Sequence, residues 1–442
     1  MIKLAGAALS GLDEFTVRLG HLKVIAAVAI DWGGSWNRVE KAVARELTKP
    51  VRVPSEHLHE VARYLSEKHL CLGISPSEEP KDSRRQFRYP DLVVTKVGEK
   101  YEVSPLTSGD EIAVWWQDYH LADPSLPSHL GAVTTSAKAS SKTGLSHVMD
   151  WATSLGILST TGEPTMIGRL VAKLAGDAMS SEWTSNPYRL DADRLVFAHL
   201  VFEADFDITS RFLMSLSRAT WPIRKREAAA FYAESVNKVI DEADAADYLT
   251  NRQRFALVGH YKELDRAARS RRVNPGETST AWHRTVSRLE AMVDLGILTK
   301  TDAENSFKYA YAYYPTKVLG RIVDSLNTGD NAQDWIEERL AECLREAPTL
   351  EGKIPLELLR EPLMKLLTIV RSPSRVYPID VLSTGLAALL ENTDLPVSFR
   401  SSRNSLESLA REHPEIARLA RGTTGDRSEY VSIDERRLLS HA

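Results

Sequence analysis

Cysteine is nearly absent: the chain of 442 residues has two, Cys71 and Cys343, far apart. No Cys-x-x-Cys pair and no tight Cys/His cluster goes with them, which excludes a disulfide framework or a structural zinc site as the source of stability. An excess of one charge is also missing. Lys and Arg number 56 against 60 Asp and Glu, a net charge of −4. The chain is therefore not a basic, nucleic-acid-coating protein, and any such site must be a local patch. Long apolar runs are lacking too. "LKVIAAVAIDW" (22–32) is too short to span a bilayer, and "MIKLAGAALSGLDEF" lacks the layout of a signal peptide. These absences predict a soluble protein of the reducing cytoplasm with no membrane partner.

Catalytic signatures are missing as well. There is no GxxxxGK[ST], no HExxH and no GxSxG. "YPDLVVTKVGEKYEV" (89–103) sets Asp91 ahead of Glu99 and Lys100, an order used by metal-dependent nucleases. That chemistry needs Glu and Lys alternating on one strand face, and adjacent residues point to opposite faces. A tight hairpin around Val97-Gly98-Glu99-Lys100 is the better reading. His57, His59 and His69 lie near Cys71, but positions 57 and 59 do not share a helix face, so no metal site is assigned. "DWGGSW" (31–36) reads as a cap or turn between two helices. No catalytic residue, metal or cofactor is expected.

What is present is a repeat. "LGIL" occurs at Leu155–Leu158 and again at Leu295–Leu298. Each copy is followed by a polar excursion, then Pro-Thr, then Gly-Arg: "PTMIGRLV" from Pro164 and "PTKVLGRIV" from Pro315. Ahead of the second copy, "AWHRTVSRLEAMVDLGIL" places Val286, Leu289, Met292, Val293 and Leu295 on one helix face, with Arg284, Ser287, Arg288 and Ala291 opposite. Gly296 ends that helix and Ile297-Leu298 begins a strand. "TKTDAENSFK" is an exposed excursion, "YAYAYY" a second strand, and Thr316 caps a new helix. The first copy reads alike, with "GLSHVMDWATSL" as helix, "STTGEP" as a short excursion and Thr165 as cap.

Helix, strand, hairpin, strand, helix is the layout of a winged helix. A weaker upstream copy runs from "PSEHLHEVARYLSEKHLCLGI" through the 97–100 hairpin to "LTSGDEI", expected to start a helix. A fourth candidate is "SSRNSLESLAREHPEIARLARGTTGDRSEYVSID". The predicted fold is mainly α with short β-hairpins, built of tandem winged-helix domains joined by helical segments. Expected boundaries are 1–125 (helical segment plus winged-helix-like unit), 126–180 (winged-helix unit), 181–248 (helical linker), 249–328 (winged-helix unit) and 329–442 (helical region ending in a further unit).

The Leu-Gly-Ile-Leu, aromatic strand, Thr and Gly-Arg pattern resembles bacterial winged-helix transcription factors. As a string of such units it is similar to the recognition half of Fok-type (type IIS) restriction endonucleases. That resemblance covers about half the chain, and its motifs are common to the superfamily. Those enzymes carry a further C-terminal nuclease domain, for which the fourth unit is expected to leave no room. The resemblance implies double-stranded DNA binding, without an enzymatic activity of the chain itself, as the target-recognition or sensor component of a bacterial restriction or phage-defence system. The effector, a nuclease or ATPase, would be a separate polypeptide.

Phosphates are contacted by Lys, Arg and small hydroxyls, and bases by the helix before the wing. The candidates are Thr280, His283, Arg284, Ser287 and Arg288 in the second copy, and Lys142, Thr143, Ser146 and His147 in the first. "SRRQFRY" adds Arg84, Arg85 and Arg88, and "RAARSRRVNPG" adds Arg269, Arg271 and Arg272. His59, Arg63, Arg224, Lys225 and Arg226 form lesser clusters. Such clusters are commonly solvated faces balanced by nearby acids. Two rival functions stand beside DNA binding. One is a DNA-acting enzyme, a nuclease or glycosylase working through scattered acids such as Asp91, Asp150, Asp205 or Asp207. The other is a kleisin-like scaffold partner of a chromosome-maintenance ATPase.

Overall fold

The computed structural model describes residues 18–72, 86–88, 90–97, 100–106, 109–126, 144–174, 186–191, 193–245, 258, 280–302, 311–326, 331–345, 349–350, 352–391, 393, 396–421 and 429–440. The fold is mainly α with short antiparallel strand pairs. No helix among the described residues is long and apolar enough to cross a membrane.

Helix α1 (Gly20–Trp32) is apolar on most sides and buried from Gly20 to Ala27. Gly33-Gly34 breaks it, Gly34 at φ +87°. α2 (Trp36–Leu47) turns back against it and buries Val39, Ala42, Val43 and Leu47. A block of β1 (Pro50–Pro54), α3 (Leu58–Leu72), β2 (Gln86–Arg88), β3 (Leu92–Val97), β4 (Lys100–Pro105), β5 (Glu111–Trp115) and α4 (Trp116–Leu121) follows. β3 and β4 form the expected hairpin, Val97 opposite Lys100. "LTSGDEI" leads into strand β5 instead of the expected helix. Ile112 and Val114 lie opposite Val53 and Val51 of β1, and β-branched residues gain more from that pairing than from a helix.

α5 (Gly144–Ser154) and α6 (Met166–Leu174) pack on α1, and α5 also touches α2. Residues 20–47 and 144–174 therefore make one body with the 50–121 block inserted. The boundary expected near residue 125 divides helices that belong together.

The middle unit runs α7 (Asp193–Ser217, kinked at Asp205), β6 (Ile223–Arg224), α8 (Lys225–Ala245), α9 (Thr280–Asp294), β7 (Leu298–Asp302), β8 (Tyr311–Pro315) and α10 (Lys317–Ser325). The stretch expected as a linker thus supplies three of its elements. A connecting segment follows: α11 (Ala332–Trp335), a π-turn (Ile336–Leu340) and α12 (Ala341–Leu344). The C-terminal unit runs α13 (Leu356–Val370), β9 (Val376–Pro378), α14 (Ile379–Leu389), α15 (Phe399–Glu412), β10 (Ala417–Arg421), β11 (Glu429–Ile433) and α16 (Glu435–Ser440). The two units share one topology. A short first strand pairs with the third, and the second and third pair with each other, giving β6-β8-β7 and β9-β11-β10. Buried apolar residues form one continuous cluster through all the units.

The repeated motif builds the same junction twice. Gly156 and Gly296 both stand at φ +70°, open to glycine at no steric cost. Gly156 N donates to Thr153 O (3.0 Å) and Ile157 N to Ala152 O (2.8 Å); Gly296 N donates to Val293 O (3.0 Å) and Ile297 N to Met292 O (2.9 Å). Each is a Schellman ending. The threonine hydroxyls then bridge back: Thr165 Oγ1 donates to Gly156 O at 2.5 Å and Thr316 Oγ1 to Gly296 O at 2.8 Å. Each also accepts from the next helix, from Gly168 N and Val318 N, both at 3.1 Å. The two arginines play equivalent parts. Arg169 donates to Arg371 O (2.9 Å) just past the end of α13, and Arg321 Nε to Cys343 O (2.9 Å) in the last turn of α12. Each satisfies a carbonyl that its helix cannot.

Candidate nucleic-acid interface

α2 carries a basic stripe. With Val39, Val43 and Leu47 turned inward, Arg38, Lys41 and Arg45 fall at steps of three and four on the opposite, exposed face. None of the three has an ion-pair partner within 4.0 Å among the described residues. The Arg45 guanidinium lies 6.0 Å from the ring centre of Trp32, which is 46% exposed. Beside the start of α2 lies the turn 159–163. Ser159 N donates to Glu163 O (2.8 Å) and Gly162 N to Ser159 O (3.0 Å). A β-carbon on Gly162 would stand 3.1 Å from Trp36 Cα, so this turn and α2 form one surface. α5 completes it, with Asp150 and Ser154 exposed and Ser146 half-buried.

The expected contact residues divide four ways. Ser146 is half-buried on α5 as described. Thr280, His283 and Arg284 lie in the first turns of α9, His147 in α5 and Arg88 in β2, their side chains outside the described residues. Lys142, Thr143, Arg84, Arg85, Arg269, Arg271 and Arg272 lie outside the described residues altogether. Among the lesser clusters, His59, Arg63 and Arg224 are exposed and Lys225 is half-buried.

Ser287 and Arg288 require correction. They are 1% and 2% exposed, and Ala291 beside them is 1% exposed, so this face of α9 meets protein. Arg288 pairs with Asp205 at the kink of α7, lies 3.3 Å from Thr209 Oγ1, and sits 4.4 Å above the Tyr232 ring of α8. Glu290 on the same helix binds Lys300 (2.5 Å) and the Tyr313 hydroxyl (2.7 Å) of the β7–β8 pair. Asp294 accepts from Arg18 Nη2 (2.8 Å) and Leu19 N (2.7 Å) ahead of α1. α9 is buried at every position from Ser287 to Leu295, so that stretch cannot lie in a groove.

The α2 stripe was not among the expected residues, although "NRVEKAVAREL" shows it as charges at helical spacing. No group of His, Cys, Asp and Glu among the described residues has the geometry of a metal site. What the surface offers chemically is phosphate binding: three cations on one helix with no ion-pair partner among the described residues, an exposed indole, and a small hydroxyl-bearing turn. Comparison with protein-family models, curated proteins and solved structures finds no match to this chain.

Proposed function

We propose that the chain binds double-stranded DNA through winged-helix units, with α2, α5 and the 159–163 turn as the principal contact surface. In this reading α2 and α5 form the helix-turn-helix pair. α2 crosses the phosphate backbone, α5 enters the major groove, and the turn is a short wing. The carrying observation is the stripe Arg38, Lys41 and Arg45, which has no ion-pair partner among the described residues, since cations held by no acid are those that release counterions on meeting phosphate. The shared β6-β8-β7 and β9-β11-β10 topology supports winged-helix units in the middle and C-terminal regions. A role as the target-recognition or sensor component of a bacterial defence system, acting with a separate effector, rests on the sequence resemblance alone.

The test is fluorescence anisotropy with a labelled duplex across a salt series, wild type beside R38A/K41A/R45A. Wild-type affinity should fall steeply with salt, and the variant's log–log slope should be shallower by about two to three, near 0.9 for each phosphate no longer neutralised. Absence of binding at low salt, or a variant indistinguishable from wild type, sinks the reading. A scaffold role is the second reading. It is favoured by the enclosure of α9, which makes the middle unit a packing element along most of the helix that would otherwise read DNA.

A further inference from the structure

α15 occupies in the C-terminal unit the place that α9 occupies in the middle one, and it keeps an outward face: Arg400, Arg403, Asn404, Glu407 and Arg411. Arg and Asn are the side chains whose paired hydrogen-bonding groups match guanine and adenine edges. Here both Arg400 and Arg403 are already engaged. Arg400 contacts Asp334 (3.1 Å), Glu337 (3.3 Å) and Glu338 (3.0 Å). Arg403 contacts Glu337 (3.1 Å), Asp380 (2.9 Å), Glu407 (3.1 Å) and Glu429. Burial draws the Arg403 guanidinium's pKa down, and the surrounding carboxylates more than reverse this, so the charge is firmly held.

The acids that cover Arg400 come from the connecting segment, and that segment is anchored. Trp335 is buried against Phe202 and Phe206, with ring centres 5.3 and 5.5 Å away, and its Nε1 donates to Ser325 Oγ at 3.1 Å. The π-turn that follows brings Glu337 and Glu338 to Arg400 beside Asp334, and Glu337 also reaches Arg403. π-turns are rare and cluster at functional positions. Stability alone explains the arrangement poorly. The Asp334 and Glu338 carboxylates are 60% and 48% exposed, and exposed ion pairs contribute little. Three carboxylate groups held about 3 Å from the Arg400 guanidinium, one of them shared with Arg403, reproduce what a run of phosphates would offer.

We propose that residues 334–338 act as an internal phosphate mimic, holding a second DNA-reading face on α15 closed. The proposal rests on the winged-helix reading above. In D334N/E337Q/E338Q the cover gives up its charge while keeping its shape. Duplex affinity should rise about tenfold at 0.1 M salt, with a salt slope steeper by about one for the freed Arg400, since Arg403 keeps Asp380, Glu407 and Glu429. The gain should vanish when R400A/R403A is added. Because Glu337 is largely buried, D334N/E338Q serves as the second variant, expected to gain about threefold. An unchanged affinity in folded protein overturns the closed-face proposal, and so does a gain that survives R400A/R403A, since that is a general charge effect. If wild type binds through α2 while the neutralised variants gain nothing, only this proposal fails. If neither wild type nor variant binds duplex at low salt, the DNA reading itself fails.

Discussion

A β-carbon at position 168 would stand 2.1 Å from the Ile157 carbonyl oxygen, whereas one at position 320 meets nothing within 4 Å. The two Gly-Arg pairs look alike in sequence but differ by one residue in their distance from the capping threonine. That single step rotates Gly168 inward and Gly320 outward. Gly168→Ala should therefore destabilise by about 1–3 kcal/mol, because backbone must move to admit the methyl. Gly320→Ala, in an exposed helix interior, should stabilise by about 0.5–1 kcal/mol. Denaturant unfolding of the pair checks both signs, and equal effects would refute this account of the repeat. The Gly, Thr and Arg positions were all legible as a pattern. Their division of labour was not, because it depends on the carbonyls of residues 157, 343 and 371.

At the scale of the element, α9 shows where reading by periodicity stops. Its spacing correctly put Leu289, Met292, Val293 and Leu295 inside. The polar side is also inside, because its partners arrive from residues 18, 205, 209, 300 and 313, and no local pattern carries that information. The reverse holds for α2, whose basic stripe is plain in local sequence but lies far ahead of α5, the helix it joins. The three-residue strand β9 and two-residue strand β6 are too short for any alternation to mark them, so the topology that the two units share appears only in three dimensions. Arg288→Met should cost about 3–5 kcal/mol, since it leaves the Asp205 carboxylate buried without its cation. Thermal and denaturant melts measure the destabilisation, and duplex affinity per folded molecule should stay unchanged. A weaker affinity with a wild-type melting curve would restore Arg288 to the DNA surface.

At the scale of the whole molecule, two histidines sit where segments distant in sequence meet. His21 opens α1, with its ring 4.9 Å from that of Tyr188 and 3.1 Å from Gln117 Oε1. His120 lies against Trp116, ring centres 4.5 Å apart. Burial lowers both from 6.5 to about 4; the neighbouring Lys49 adds to the effect at His120. Both are neutral in the folded state, while the unfolded chain takes up protons below its ordinary histidine pKa. Their contribution is thus complete above pH 6.5 and declines as pH falls toward 4, by about 3 kcal/mol for each group. Unfolding free energies between pH 7.5 and 4.5 should show this decline, and H21Q/H120Q should flatten it. A slope unchanged in that variant assigns the acid sensitivity elsewhere.

The carboxylate of Asp294 holds Arg18 and the backbone of Leu19, contacts 276 and 275 residues apart along the chain. Synthesis turns that separation into time. At about 5–20 residues per second, α1 waits roughly a quarter of a minute to a minute for Asp294 to be added. Through that interval an almost wholly apolar helix has only part of its final cover, and the growing chain must either shelter it in provisional contacts or pass it to a chaperone.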